Sequence, residues 1–335
     1  TLKADLKECQ FINNSITMGN VESCGASIYS TSSADINLEK CTFVNNSADG
    51  NGGAIFADTQ SIEIKNCKFF SCYTSSFIGY DQGGAICLFG GEAKQGEMIQ
   101  GCVFENCSSS YSGGALYVHC RDIEQRNIRD YNPEYNYVVR VINCNFTGCK
   151  SNYEGGAISS GVTREDNKEG DNDFFINECF FTECQSGNGG ALYFQDGTEA
   201  GDEQTQIFSC HFINCFASNG EGYSISCRSF YLSIGNCYFK KHARNANNAT
   251  HSIVYIKMNE MPPSLTNCFY EENSGVSGLT ISCTESVLIN GLVFRNYNDN
   301  VPCINLDHWD VKGKVNIENS NFTNNKALGT ESKGG

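Results

Sequence analysis

Ten of the chain's 20 cysteines fall into five pairs with one spacing: Cys67 and Cys72, Cys102 and Cys107, Cys144 and Cys149, Cys179 and Cys184, Cys210 and Cys215. A thiol can be oxidised to a bridge, can ligate zinc, or can serve as a small buried apolar side chain. A bridge within one of these pairs requires the intervening turn to fold tightly, and the pairing does not follow from sequence. Disulfides at these ten positions and a reduced core therefore both stand as readings. Zinc is disfavoured, because it needs a tetrahedral His/Cys cluster and His119, His211, His242 and His251 share no common context.

Other residue groups could act on a ligand. Asp307-His308-Trp309-Asp310 holds two acids, a His and the only Trp, a combination suited to a sugar but more typical of a packing feature. Arg121, Arg126, Arg129, Tyr131, Tyr135 and Tyr137 make one segment a candidate contact loop. Asp166, Asp171, Asp173, Asp196 and Asp202 are acids of the kind that suit calcium, without any twelve-residue calcium loop, so no cofactor is expected. Asn-x-Ser/Thr triplets at Asn13, Asn45, Asn106, Asn145, Asn248 and Asn321 are glycan acceptors if the chain is secreted by a eukaryote. A composition rich in Asn and Ser also generates such triplets unaided.

Composition narrows the field. With 335 residues, 40% hydrophobic and 12% aromatic, the chain has enough apolar matter for a core. A net charge of −15 argues against nucleic acid as a partner, since phosphate binding needs a concentrated basic face. No apolar run is long enough for a membrane-spanning helix.

The positions that could do chemistry sit inside an internal repeat. Cys-x-aromatic anchors stand at Cys9, Cys41, Cys67, Cys102, Cys144, Cys179, Cys210, Cys237 and Cys268, and Leu292 and Ser320 take the place in two further units, a mean period of about 31 residues. Three residues before each anchor the side chain is always aliphatic, from Leu6 to Ile317. Two residues after it the side chain is always aromatic, from Phe11 to Phe322. A small residue followed by an aliphatic one comes next, at Ser27-Ile28, Ala54-Ile55, Ala85-Ile86, Ala115-Leu116, Ala157-Ile158, Ala191-Leu192, Ser224-Ile225, Ser252-Ile253, Thr280-Ile281 and Cys303-Ile304.

Anchor and aromatic share one strand face, whereas the aliphatic residue has the wrong parity, so a bend must separate them. Asn66, Asn143, Asn236, Asn267, Asn319, Gly101 and Gly291, just before the anchor, tolerate the left-handed backbone of such a bend. Three short bent strands per unit cannot form hairpins; they wind into coils whose equivalent strands stack in parallel. The expected fold is all-β, a parallel β-helix of about eleven coils, as one domain over 1–325 with a tail over 326–335. Stacked cysteines would then have Cβ atoms about 4.8 Å apart, slightly too far for an unstrained bridge. Extra residues cluster after the small-aliphatic strand at Leu88–Glu97, Arg121–Asn136, Thr163–Asp173 and Gln195–Gln206, so they should project from one side.

Phe-x-x-Asn, as in Phe11-Ile12-Asn13-Asn14, Phe43-Val44-Asn45-Asn46 and Phe322-Thr323-Asn324-Asn325, combined with Gly-Gly-Ala-Ile/Leu, resembles the repeat of chlamydial polymorphic outer-membrane proteins and their protist relatives. The resemblance implies a right-handed β-helix used at the cell surface as an adhesin or antigen. Two departures are the cysteines that replace the motif Asn in five consecutive units, and the lack of a C-terminal barrel in this sequence.

Many β-helices cleave polysaccharides, but the Asn-Thr-Asp, Asp-Asp and Gly-His-Gly signatures of polygalacturonases are absent here. A strongly acidic chain would also repel a polyuronate. Leu6 and Phe322 belong to core rows, and no amphipathic helix covers either end of the repeat. The expectation is a longer β-helix, end-to-end stacking of copies, or a covering partner. The functional expectation is a non-enzymatic extracellular rod, a surface stalk or filament subunit that meets a host or matrix protein or a glycan. A carbohydrate-active β-helix enzyme is the alternative.

Overall fold

The computed structural model describes residues 2–17, 23–31, 34–58, 61–75, 81–89, 97–120, 137–162, 172–195, 204–219, 221–228, 231–243, 251–258, 263–283, 286–296, 302–306 and 314–325. Among them every paired strand runs parallel, in sheets of 11, 11, 7 and 10 strands, here named A to D in the order the chain visits them. The fifth coil shows the plan: Tyr137–Ile142 in sheet A, Asn145–Thr147 in B, Lys150–Ser151 in C and Ile158–Val162 in D. Each strand pairs with its equivalent one coil away, as Val141 with Ile176 and Phe146 with Phe181. The fold is a parallel β-helix.

In the first seven coils a fourth strand joins the three expected. It is two residues long, and from the second coil on its inward position is small (Ala48, Thr74, Ser109, Ser151, Ser186 and Ala217), so it carries no apolar signal. Two of the small-aliphatic pairs also fall in a different register from the one expected. Ile225 pairs with Val254, and Val254 with Leu279, so Ile253-Val254 and Gly278-Leu279 hold those places. The sequence misleads there because Ile253 and Val254 are both aliphatic, and in Leu279-Thr280-Ile281 two aliphatics share one face.

The bends are left-handed throughout. The residue before the anchor has φ between 50° and 71° in all eleven coils, including Glu8, Lys40, Glu178 and Ser209. A second row, four residues after the anchor, is equally uniform, from Asn13 through Ser71, Gly148 and Lys241 to Asn324. Asn and Gly adopt this conformation at little cost, and the other types are held there by the ladders on both sides. At the third corner the motif glycines differ in purpose. Gly52 has φ +68, whereas a Cβ on Gly53 would stand 2.2 Å from the Gly84 carbonyl and 2.4 Å from that of Tyr73.

Inside, one apolar cluster runs from Leu6 to Val315. Its spine is the aromatic row: Phe11, Phe43, Phe69, Phe104, Phe146, Phe181, Phe212, Phe239, Tyr270, Phe294 and Phe322 stack without interruption at centroid spacings of 4.4 to 5.2 Å. Each insertion lies between a sheet D strand and the next sheet A strand, with 90–96, 121–136, 163–171 and 196–203 outside the described residues.

Candidate functional site

Two rows of thiols line inner corners of the solenoid, and hydrogen bonding accounts for both. In the anchor row each sulfur donates to the carbonyl two residues earlier in its own coil. In most coils it also meets the carbonyl of the aliphatic row one coil before. Cys144 Sγ lies 3.3 Å from Ile142 O and 3.5 Å from Ile99 O, and Cys179 Sγ 3.3 Å from Asn177 O and 3.4 Å from Val141 O. The sulfur also accepts: the backbone N–H of Cys41, Cys102 and Cys144 point at the sulfurs of Cys67, Cys144 and Cys179, at 3.3 to 3.5 Å. Ser320 repeats the arrangement in oxygen, accepting from Leu292 N at 3.1 Å and donating to Glu318 O at 2.9 Å.

The second row, five residues after the anchor, reads Asn14, Asn46, Cys72, Cys107, Cys149, Cys184, Cys215, His242, Asn273 and, at the far end, Asn325. From Asn46 on, its members other than His242 donate to the carbonyl of the stacked aromatic one coil earlier, whereas Asn14 in the first coil donates to Ser27 Oγ and Asn46 Oδ1. Asn46 Nδ2 meets Phe11 O at 2.9 Å, and Asn273 Nδ2 meets Phe239 O at 3.1 Å. The five thiols reach the corresponding carbonyls of Phe43, Phe69, Phe104, Phe146 and Phe181 at 3.5 to 3.7 Å. Cysteine thus takes over the donor role of the motif Asn, with a longer and weaker bond but a smaller side chain that needs fewer partners. His242 departs from the pattern, placing Nε2 2.7 Å from Ser224 Oγ and Nδ1 3.1 Å from Asn273 Oδ1.

All ten paired cysteines are free thiols in this structure. Members of a pair serve different carbonyls: Cys179 those of Asn177 and Val141, Cys184 those of Thr182 and Phe146. Burial pushes the thiols of Cys107, Cys184 and Cys210 well above their ordinary range. Away from the two rows, Cys24 and Cys87 join Phe56 and Tyr117 in a second apolar cluster outside sheet D.

The glycan acceptors fall on two rows. Asn13, Asn45 and Asn106 occupy the left-handed corner and are exposed, with Asn45 Nδ2 donating to Asn13 Oδ1 at 3.3 Å. Asn145 and Asn321 are exposed on the outer face of sheet B. Asn248 lies outside the described residues. So do Arg121, Arg126, Arg129, Tyr131 and Tyr135, the acids Asp166, Asp171, Asp196 and Asp202, and the Asp307–Asp310 segment. Asp173 falls in the strand Asn172–Asn177. No group of three or more metal-ligating side chains occurs among the described residues.

Two surface features escaped the sequence reading. Phe180, His211, Tyr238 and Phe269 form an aromatic stripe outside sheet B, with Phe180 42% and Phe269 40% exposed and Phe180 stacked on His211 at 4.6 Å. The position directly after the anchor was the available signal. Outside sheet D, acids and an arginine converge on neighbouring coils. Arg228 pairs with Glu221, Ser112 Oγ donates to Glu154 Oε2 at 3.2 Å, and Tyr193 OH donates to Gln195 Oε1 at 2.7 Å. Burial, with Glu154 nearby, raises the Tyr193 hydroxyl above its usual range. Glu221 is engaged by Arg228 and Glu154 by Ser112, while Arg228 Nε is buried without a hydrogen-bond partner.

The fold and its capped corners define a solenoid repeat protein of the parallel β-helix class. Residues 40–58, within the second of the eleven coils, match the family model of the Chlamydia polymorphic membrane protein repeat. That repeat belongs to a family of non-enzymatic surface proteins. Comparison with curated proteins gave no match, and no solved structure matches. No helix among the described residues is long and apolar enough to cross a membrane.

Proposed function

We propose that the chain is a non-enzymatic extracellular rod, acting as an adhesin-like surface stalk or as a subunit of a surface filament. The observation that carries this reading is the unbroken aromatic stack through all eleven coils, which makes the interior a continuous stiffening element. The repeat of a surface-protein family at 40–58 supports the location. The insertions, all between sheets D and A, supply variable chain on one side for a host or matrix protein or a glycan. Further β-helix of a longer chain, or a second copy stacked end to end, is the partner proposed along the axis.

Electron microscopy of natively purified protein, without tags or reductant, tests the reading. Straight rods about 48 Å long, from ten steps of about 4.8 Å, or filaments built from them, are expected. Release of reducing ends from a panel of polysaccharides would overturn the non-enzymatic assignment in favour of a carbohydrate-active enzyme.

A further inference from the structure

Asn145-Phe146-Thr147 differs from the other acceptor triplets. It is a strand of sheet B with Phe146 inward, so Asn145 and Thr147 share the outer face, and both are exposed. The other described acceptors engage their amides with the protein. Asn45 Nδ2 donates to Asn13 Oδ1 at 3.3 Å, and Asn106 Oδ1 lies where a Cβ on Gly148 would stand 2.5 Å from it. Asn321 Oδ1 accepts from the Thr323 hydroxyl. The Asn145 amide has no hydrogen-bond partner among the described residues.

Its neighbour in the next coil is aromatic. Asn145 is in register with Phe180, whose ring stacks on His211 one coil further at 4.6 Å and 13°. Coils lie about 4.8 Å apart, so two near-parallel rings at this distance turn their faces along the rod axis. His211 covers one face of Phe180. The opposite face is turned toward the coil of Asn145, and the ring is 42% exposed. A β-linked pyranose carries axial hydrogens on one side, an apolar and weakly positive surface that complements the negative face of an aromatic ring.

We propose that Asn145 carries an N-linked N-acetylhexosamine whose apolar side packs on the open face of Phe180, so that a sugar ring extends the outer aromatic stripe by one coil. This rests on the extracellular reading above. In the transfer, Asn145 Nδ2 forms a bond to the anomeric carbon of the sugar, and the bond from that carbon to a lipid pyrophosphate donor breaks. The pyrophosphate leaves with the electron pair, and the amide releases one proton. The glycan then leaves the rod from sheet B, a different face from the insertions between sheets D and A.

The test is treatment of natively purified protein with peptide N-glycosidase in heavy-oxygen water, followed by mass spectrometry of the peptide that holds Asn145. Conversion of Asn145 to an aspartate carrying one heavy oxygen is expected. Variants secreted from eukaryotic cells then compare the rate at which the enzyme strips this site in the folded chain. Phe180→Ala should raise that rate about two- to tenfold, the range one aromatic contact is worth. Phe180→Trp keeps an aromatic face and should stay near the parent rate. Phe269→Ala removes a similarly exposed ring three coils away and should also leave it unchanged. An unmodified Asn145 in the native protein overturns the proposal, and rods in electron micrographs of that same sample would leave the extracellular reading standing. A rate unchanged in Phe180→Ala, or raised equally in Phe269→Ala, overturns the contact between sugar and ring.

Discussion

If cysteine in the second row stands in for the motif Asn as a hydrogen-bond donor, Cys184 distinguishes that role from simple space filling. Its side chain has no exposed surface, and its sulfur lies 3.6 Å from Phe146 O and 3.7 Å from Thr182 O. Cys184→Ala removes apolar burial worth about 0.8 kcal/mol. The residual void adds about 0.5 kcal/mol, and loss of the donor to the two carbonyls about 1 kcal/mol. The expected cost is therefore between about 2 and 3 kcal/mol. Cys184→Asn should stay within about 1 kcal/mol of the parent, because an amide here can donate as Asn46 and Asn273 do. Its Oδ1 can also accept from the coil before, as Asn46 Oδ1 accepts from Asn14 N at 3.0 Å. Urea unfolding followed by far-ultraviolet circular dichroism reads the comparison, with midpoints and slopes both compared because repeat arrays can depart from two-state behaviour. An alanine variant as stable as the parent, or an asparagine variant as damaged as the alanine one, would refute the donor role.

Gly53→Ala places a Cβ against two backbone carbonyls that cannot move independently, so a loss of at least about 3 kcal/mol is expected; an unchanged melting temperature would contradict the packing. Glu183 holds φ at +55, and Glu183→Asn should raise stability by about 0.5 to 1 kcal/mol in the same unfolding assay, a fall counting against corner strain. Burial raises the thiols of Cys107, Cys184 and Cys210 above the value of 9.0 expected of an exposed thiol. The folded chain then keeps protons that the unfolded chain gives up near pH 9. The stability these thiols contribute is whole below that pH and is lost as pH rises above it. Urea midpoints should therefore be level between pH 7 and 8.5 and fall beyond 9, and a rise there would mean the thiols are ionised in the fold.

Much of this architecture could be read from residue types because a β-helix writes its geometry once per coil. The aliphatic, anchor and aromatic rows each recur at fixed offsets, so one error in alignment would have broken all of them together. The bend before the anchor was legible where Asn or Gly stands, at Asn66 or Gly101, and silent at Glu8, Lys40 and Glu178. There the neighbouring coils impose a conformation the residue does not favour. The fourth strand was invisible because two residues with a small inward side chain have no periodicity to detect. The roles of the thiols were not legible either. Spacing shows that Cys67 and Cys72 are five apart, but only the register reveals that one faces the carbonyl of Lys65 and the other that of Phe43.

The same interchange of donors explains why a family model finds a single coil. Residues 40–58 contain Phe43 with Asn46 and then Gly52-Gly53-Ala54-Ile55, and no other coil joins Phe-x-x-Asn to the full glycine motif. The first coil has Asn14 but reads Gly25-Ala26-Ser27-Ile28. The next five keep Gly-Gly-Ala-Ile/Leu or, in the last of them, Gly222-Tyr223-Ser224-Ile225, and replace Asn with Cys. His242 and Asn273 follow without the glycine pair. Yet Cys184 reaches the Phe146 carbonyl just as Asn273 reaches that of Phe239, and Gly222 at φ +69 turns the same corner as Gly52 at +68. The coil requires a donor beneath each aromatic carbonyl and a left-handed residue at the third corner. It does not require asparagine, nor a second glycine where the neighbouring backbone leaves room for a Cβ. A repeat defined by those two requirements, rather than by the letters that usually meet them, extends the match from one coil to six consecutive ones, from the coil of Asn46 and Gly52 to that of Cys215 and Gly222.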